Sequence, residues 1–91
     1  MFKFEWDEQK AAGNLLKHGV SFDEAVSVFG DAQALTFSDP DHSESEHRSR
    51  TYGISHTPRL LVVVHTDRRN GIRIISARKA TRYEKSIYEN G

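Results

Sequence analysis

Hydrophobic and polar positions change rhythm several times along the chain, and each change marks an element. Phe2-Lys3-Phe4-Glu5-Trp6 alternates apolar and polar, the period-two signature of a short strand. Ala11, Ala12, Leu15 and Leu16 then recur at helical spacing, so a helix is expected over 8–17. Asp7 is placed to cap its start, and Gly19 to end it in the left-handed conformation. Ser21-Phe22-Asp23-Glu24 has the capping-box spacing, in which Ser21 bonds the Glu24 amide and the Glu24 carboxylate reaches back to Ser21. Phe22, Ala25, Val26 and Phe29 follow as one apolar stripe, closed by Gly30. Helices this short do not hold alone in water, so both must pack on a sheet.

Ala34-Leu35-Thr36-Phe37 is a candidate strand. Residues 39–47 are polar throughout, and Pro40 with its small polar neighbours makes them a loop. Arg50 to Ser55 reads as a strand carrying Arg50, Tyr52 and Ile54 on one face, and His56-Thr57-Pro58 turns the chain. Leu60-Leu61-Val62-Val63-Val64 does not alternate, which marks a central strand covered on both faces. Asp67 to Gly71 closes a hairpin containing Asn70-Gly71, and 72–78 returns as its partner. Strict alternation there puts Ile72, Ile74, Ser76 and Arg78 on one face, and Arg73, Ile75, Ala77 and Lys79 on the other. Thr81-Arg82-Tyr83-Glu84 is another capping-box pattern, opening a last helix toward Tyr88. The sum is a single α+β domain over 1–91, in the order β-α-α-β-β-β-β-α. A small antiparallel sheet packs against helices.

Composition narrows the function classes. A length of 91 residues suffices for one domain and no more. The absence of cysteine excludes a disulfide framework, a thiol nucleophile and a thiolate metal site. No apolar run approaches the roughly 20 residues that span a bilayer. Glu5 and Asp7 interrupt any signal-peptide core, so a cytoplasmic protein with no membrane partner is expected. Glycines are scattered singly, which leaves a kinase, a dinucleotide enzyme and a serine hydrolase unsupported. Asp39, Asp41, His42, Glu44, Glu46 and His47 match neither a calcium loop nor the His-Glu-x-x-His zinc pattern. Neither a metal nor a cofactor is expected. A helix-turn-helix over 8–29 fails because Asp23 and Glu24 open its second helix, where a groove demands neutral or basic groups.

Charge changes the picture further. Lys and Arg balance Asp and Glu at 13 each, yet the zero hides a division. Residues 1–47 carry net −7 and residues 48–85 net +8, with Glu89 closing the balance. A basic face that binds a polyanion is the functional expectation; mutual neutralisation of the two halves is the plainer one. Eight of the ten cations in 48–85 are arginine, whose planar donor fork suits phosphate oxygens. Tyr52, Tyr83 and Tyr88 can offer stacking surfaces among them. The segment 76–84 is densest: Arg78 and Arg82 flank a helix start whose free amides attract phosphate. Glu84 is first of all a cap there and second a proton acceptor, and Tyr88 stands one turn further on the same face.

RNA cleavage without metal needs a base for the 2′-hydroxyl, an acid for the leaving 5′-oxygen and cations on the phosphate. His65, at the end of the strongest strand, is the best-placed histidine for proton transfer, with edge-of-core packing as its plain alternative. His18 beside a helix end complements the helix dipole. His56 is a turn residue.

Longer motifs carry a resemblance. Phe4-Glu5-Trp6-Asp7, Asn14-Leu15, Lys17-His18-Gly19-Val20-Ser21-Phe22, Ala25, Phe29 and Asp31 resemble the opening of the BrnT toxin family. Arg59 to Thr66, Ile72 to Thr81, and Glu84 with Tyr88 resemble its closing half. The likeness spans essentially the whole chain. It implies a RelE-like fold and a toxin of a bacterial type II toxin–antitoxin system, a metal-independent endoribonuclease that cleaves RNA and inhibits translation. It also implies neutralisation by a BrnA-like antitoxin with a ribbon-helix-helix DNA-binding part, operator DNA being reached only through that complex. The family's basic positions fall on Arg48, Arg73, Arg78 and Lys79, its last-helix signature on Glu84 and Tyr88, and its strand-end position on His65. One departure is visible: Ser49 and Arg50 follow Arg48, where the family often has an apolar or aromatic residue, which bears on the register of that strand. The candidate catalytic residues are therefore His65, Arg78, Glu84 and Tyr88, and the candidate RNA-binding residues Arg48, Arg50, Arg73, Lys79 and Arg82. A non-catalytic nucleic-acid- or protein-binding module is the competing reading.

Overall fold

The computed structural model describes residues 3–42 and 46–91. Residues 1–2 and 43–45, on which parts of the first strand and the polar loop are expected, lie outside the described residues. The elements are β1 (Lys3–Glu5), α1 (Glu8–His18), α2 (Phe22–Ser27), β2 (Leu35–Ser38), β3 (Ser49–Ile54), β4 (Leu60–Arg68), β5 (Gly71–Lys79) and α3 (Arg82–Asn90). Short 3-10 turns cover Val28–Gly30 and Pro40–His42. The expected α+β order is the observed one.

Local chemistry places these boundaries. The Asp7 carboxylate accepts the Gln9 and Lys10 amides at 2.9 and 3.1 Å and so caps α1. Gly19 ends that helix at φ 68°. Ser21 accepts the Glu24 amide at 3.0 Å, but the expected box closes by half only, because the Glu24 carboxylate turns to Ser55, Thr57 and Arg59 instead. A guanidinium is a stronger partner for a carboxylate than a neutral amide. At α3 both halves of the Thr81–Glu84 box are present.

The sheet order is β1-β5-β4-β3-β2. β2 to β5 pair antiparallel, whereas β1 joins the β5 edge in parallel, with Phe4 opposite Ile72. The small antiparallel sheet thus acquires one parallel edge. A short alternation says that a strand exists and not which way it runs. Gly71 has its reason here: a Cβ on it would lie 1.7 Å from the Lys3 carbonyl oxygen. The glycine of the expected Asn-Gly turn is needed for the close approach of β1. Among the described residues, only Gly19 takes a left-handed φ.

One core fills the inner face of the sheet. Val20, Phe22, Ala25 and Val28 pack on Leu61, Val63, Ile74 and Ala77. α3 packs on the opposite, outer face against β3. β4 is accordingly buried from Leu61 to Thr66, as its unbroken apolar run suggested.

A β-bulge resets β5. Val64 faces Ser76 but His65 faces Ile74, so Ile75 is the extra residue. The strict alternation expected from the sequence breaks at that point. Arg73, opposite Thr66, and Arg78, opposite Val62, now share the outer face, while Lys79, opposite Leu61, belongs to the inner one. This reverses the expected pairing of Arg73 with Lys79. An extra residue in one strand flips every side chain beyond it.

β1 covers only Gly71 to Arg73 of β5, which leaves the later part of that edge unpaired. Buried Asn14 on α1 fills the gap. It donates to the Val20 and Ala77 carbonyls at 2.9 and 2.8 Å and accepts the Ala77 amide at 3.1 Å. The end of α1 is thereby pinned to β5 beside Ser76 and Arg78.

Candidate active site

His18 lies four residues after Asn14 and hence on the same face of α1. Since Asn14 holds Ala77, the last turn of α1 comes to the rim of the outer sheet face. A cleft of about 280 Å³ opens there, walled by Lys17, His18, Arg50 and Arg78, with Asp39 and Ser76 between them. Val62 and Val64 form its apolar floor.

Arg78 is held by Glu84 in a two-armed ion pair, Nη1 to Oε1 at 2.7 Å and Nη2 to Oε2 at 2.9 Å. Nη1 also donates to the Lys79 carbonyl at 3.3 Å. An arginine has five N–H donors. Glu84 occupies its end-on fork, which leaves the Nε–H and one Nη2–H as a second, side-on edge. Glu84 meanwhile accepts the Thr81 amide at 2.9 Å. The helix cap and the arginine clamp are therefore one carboxylate. Arg78 foremost, with the Thr81 amide assisting, holds the Glu84 carboxyl at about 2 against its partial burial. Arg78 is pushed up in return by Glu84, with a lesser attraction from Asp39.

Arg50 projects from β3 toward the same cleft and pairs with Asp39 at 3.4 Å. Asp39 is 1% exposed, so an anionic charge is fixed under the cations. The side chains of Arg78 and Arg50 remain 40% and 34% exposed. A ligand anion can reach both. Two planar forks and an ammonium around one cleft fit phosphoryl oxygens.

A model of the BrnT family, ribonuclease toxins of type II toxin–antitoxin systems, matches residues 6–84. The chain belongs to the BrnT family. It is similar in structure to the Brucella abortus ribonuclease toxin BrnT, known from a 1.1 Å crystal structure, with a TM-score of 0.69. That likeness covers 90% of this chain and 100% of the other at 22% identity, and it shows the shared fold. No curated protein sequence matches. As a BrnT-family toxin the chain is an RNA-cleaving enzyme of a toxin–antitoxin system. BrnT-type toxins generally pair with a BrnA-like antitoxin and act on RNA. Among the described residues, no helix is long and apolar enough to cross a membrane, and no three His, Asp or Glu side chains gather as a metal-binding group.

Of the residues singled out in the sequence of this BrnT-family chain, the structure brings together Arg50, Arg78 and Glu84. Arg73 shares their face but pairs with Glu5 at 3.1 Å, beside Arg68 at the far end of β5. Arg48 precedes β3, and its carbonyl accepts the Asp39 amide at 2.9 Å, setting where the polar loop returns. Lys79 and Arg82 are exposed, at the end of β5 and the start of α3.

His65 and Tyr88 lie apart from this group. His65 is buried on the inner face, its Nε2 2.7 Å from the Thr51 hydroxyl and its ring edge-on to Phe29 at 5.0 Å. Burial pushes its imidazole down, with Asp67 opposing. The sheet stands between it and Arg78. The Tyr88 hydroxyl donates to Asp31 at 2.6 Å, which pushes the phenol up to about 12. Asp31 also accepts the Ile54 amide at 2.8 Å, so Tyr88 ties α3 to the end of β3. Tyr88→Phe removes that tie and is expected to lower the melting temperature by about 5 °C, one hydrogen bond to a partly exposed charge being worth ~1 kcal/mol. Thermal unfolding followed by circular dichroism checks it.

Lys17, His18, Asp39 and Ser76 are cleft residues that sequence reasoning did not assign to the site. A signal for His18 existed. A polar Asn14 among apolar helix positions, four residues before it, marks the helix face that meets the sheet edge.

Proposed function

We propose that this BrnT-family toxin cleaves RNA by metal-independent transesterification in the cleft between α1 and the outer face of β3–β5. The convergence of Lys17, Arg50 and Arg78 on one cleft carries this reading. The substrate's own 2′-hydroxyl is the nucleophile, so the protein has to hold the phosphate, stabilise the charge of the pentacoordinate state and move protons. Arg78 and Arg50 hold the phosphate, and Glu84 positions Arg78. Arg48, Arg73 and Arg82 extend the basic track for flanking nucleotides, while Lys79, opposite Leu61 on the inner face, stands off it. In this reading His65 and Tyr88 serve the fold: the His65 Nε2 is engaged with Thr51 on the inner face of the sheet, and the Tyr88 hydroxyl with Asp31.

The reading includes inhibition of translation in the cytoplasm and neutralisation by a BrnA-like antitoxin. The antitoxin would carry the ribbon-helix-helix part through which the complex reaches operator DNA. The test is cleavage of a mixed-sequence RNA by purified protein in EDTA. Products ending in 2′,3′-cyclic phosphate are expected. Activity that returns only with added divalent metal overturns the mechanism. Salt-sensitive RNA binding with no product would favour a binding module instead.

A further inference from the structure

Resting on the ribonuclease reading, we propose that His18 is the general acid of this cleft and hands its proton to the leaving 5′-oxygen. Three observations converge on it. His18 is the one histidine lining the cleft that holds Arg50 and Arg78. Its place is fixed on both sides: Asn14, one turn earlier, is bonded to both backbone groups of Ala77, and Gly19, next in the chain, gives its carbonyl to Arg59 at 3.0 Å. The other described histidine with a defined buried position, His65, lies on the opposite face of the sheet.

Chemistry supplies the assignment among the cleft residues. Arg50 and Arg78 are engaged in ion pairs with Asp39 and Glu84, and a guanidinium so held serves to bind phosphate oxygens rather than to shuttle a proton. Asp39 lies under Arg50 at 3.4 Å and accepts rather than donates. Imidazole is the side chain most often used to give a proton and regain it from water in each turnover, and His18 is the imidazole in this cleft. The charged groups that share the cleft with His18 are Lys17 on its own helix, Arg50 on β3, Arg78 on β5 and Asp39 before the polar loop. Two of those cations already face carboxylates, Asp39 and Glu84. The balanced step is short. The 2′-oxygen–phosphorus bond forms as the hydroxyl proton passes to solvent, the phosphorus–5′-oxygen bond breaks, and the 5′-oxygen takes the His18 proton.

The experiment uses two RNA oligonucleotides built around one site mapped with the wild-type toxin. One has the ordinary 5′-oxygen at the scissile linkage; the other has a bridging 5′-sulfur, which leaves as thiolate without protonation. His18→Asn is expected to cleave the oxygen linkage ~100-fold more slowly than wild type, the typical worth of a general acid. On the sulfur linkage it should stay within about threefold, a difference that a purely structural role would not produce. His18→Gln is assayed beside it, and melting curves of both variants report folding. Undiminished cleavage of the oxygen linkage by either variant overturns the assignment, and so does an equal loss on both linkages. No cleavage of any RNA by the wild type would instead overturn the ribonuclease reading, and this assignment with it.

Discussion

Replacing Arg78 by alanine is expected to lower the rate of RNA cleavage about 100-fold, the range seen when one donor to a developing anion is removed. The geometry gives the reason. Glu84 holds the end-on fork of Arg78 at 2.7 and 2.9 Å, and the Thr81 amide holds Glu84 at 2.9 Å. The guanidinium is thus fixed before substrate arrives, with its side-on edge open to a phosphate. Donors that need no rearrangement stabilise a transition state most. Arg78→Lys keeps the charge but loses the planar fork, so it should recover only a part of the lost rate. Single-turnover rates at saturating toxin separate this from weaker RNA binding. Cleavage by Arg78→Ala within threefold of wild type would remove Arg78 from the active site.

Much of the fold was legible because its signals are local. Asp7, Gly19 and Thr81 with Glu84 act on backbone groups within four residues, and each sits where its chemistry placed it. The central position of β4 followed from an apolar run without alternation. The parallel direction of β1 and the bulge at Ile75 were not legible, because both depend on which strand lies alongside. The bulge bore directly on the site. Alternation alone set Arg73 and Lys79 against Arg78, and one extra residue moved Arg73 to the Arg78 face. Basic composition pointed to the right half of the chain, yet two walls of the cleft, Lys17 and His18, come from the acidic half. A net charge per segment cannot show that a helix end crosses the sheet edge. That crossing rests on the bonds of Asn14 to a strand 63 residues away in sequence.

Glu24→Ala is expected to destabilise the toxin by about 3 kcal/mol, which for a domain of this size lowers the melting temperature by roughly 10–20 °C. Glu24 is 6% exposed. Its carboxylate accepts from the Ser55 and Thr57 hydroxyls at 2.6 Å each and from Arg59 through both Nε and Nη2. One side chain on α2 therefore satisfies three residues on the β3–β4 connection, and its loss leaves them only weaker substitutes, the Ser55–Thr57 hydroxyl contact at 3.1 Å and the Gly19 carbonyl for Arg59 at 3.0 Å. Arg59 is 31% exposed and turns to water, which keeps the cost at the lower end for a buried pair. Roughly 5–15 kcal/mol is all that holds an ordinary domain folded, so this network is a large share of the total. The bond to Arg59 foremost, with Ser55 and Thr57, holds the Glu24 carboxyl at about 2, below its ordinary 4.5. A carboxyl depressed in the folded state contributes its full stability above the unfolded value and loses it as pH falls through the folded one. The contribution is thus complete above about pH 5 and fades between pH 4.5 and 2. Wild type should lose stability across that window more steeply than Glu24→Ala, as measured by urea unfolding at successive pH values. Parallel stability curves for the two proteins, or a melting temperature unchanged in the variant, would show that α2 is held to the β3–β4 connection by apolar packing alone.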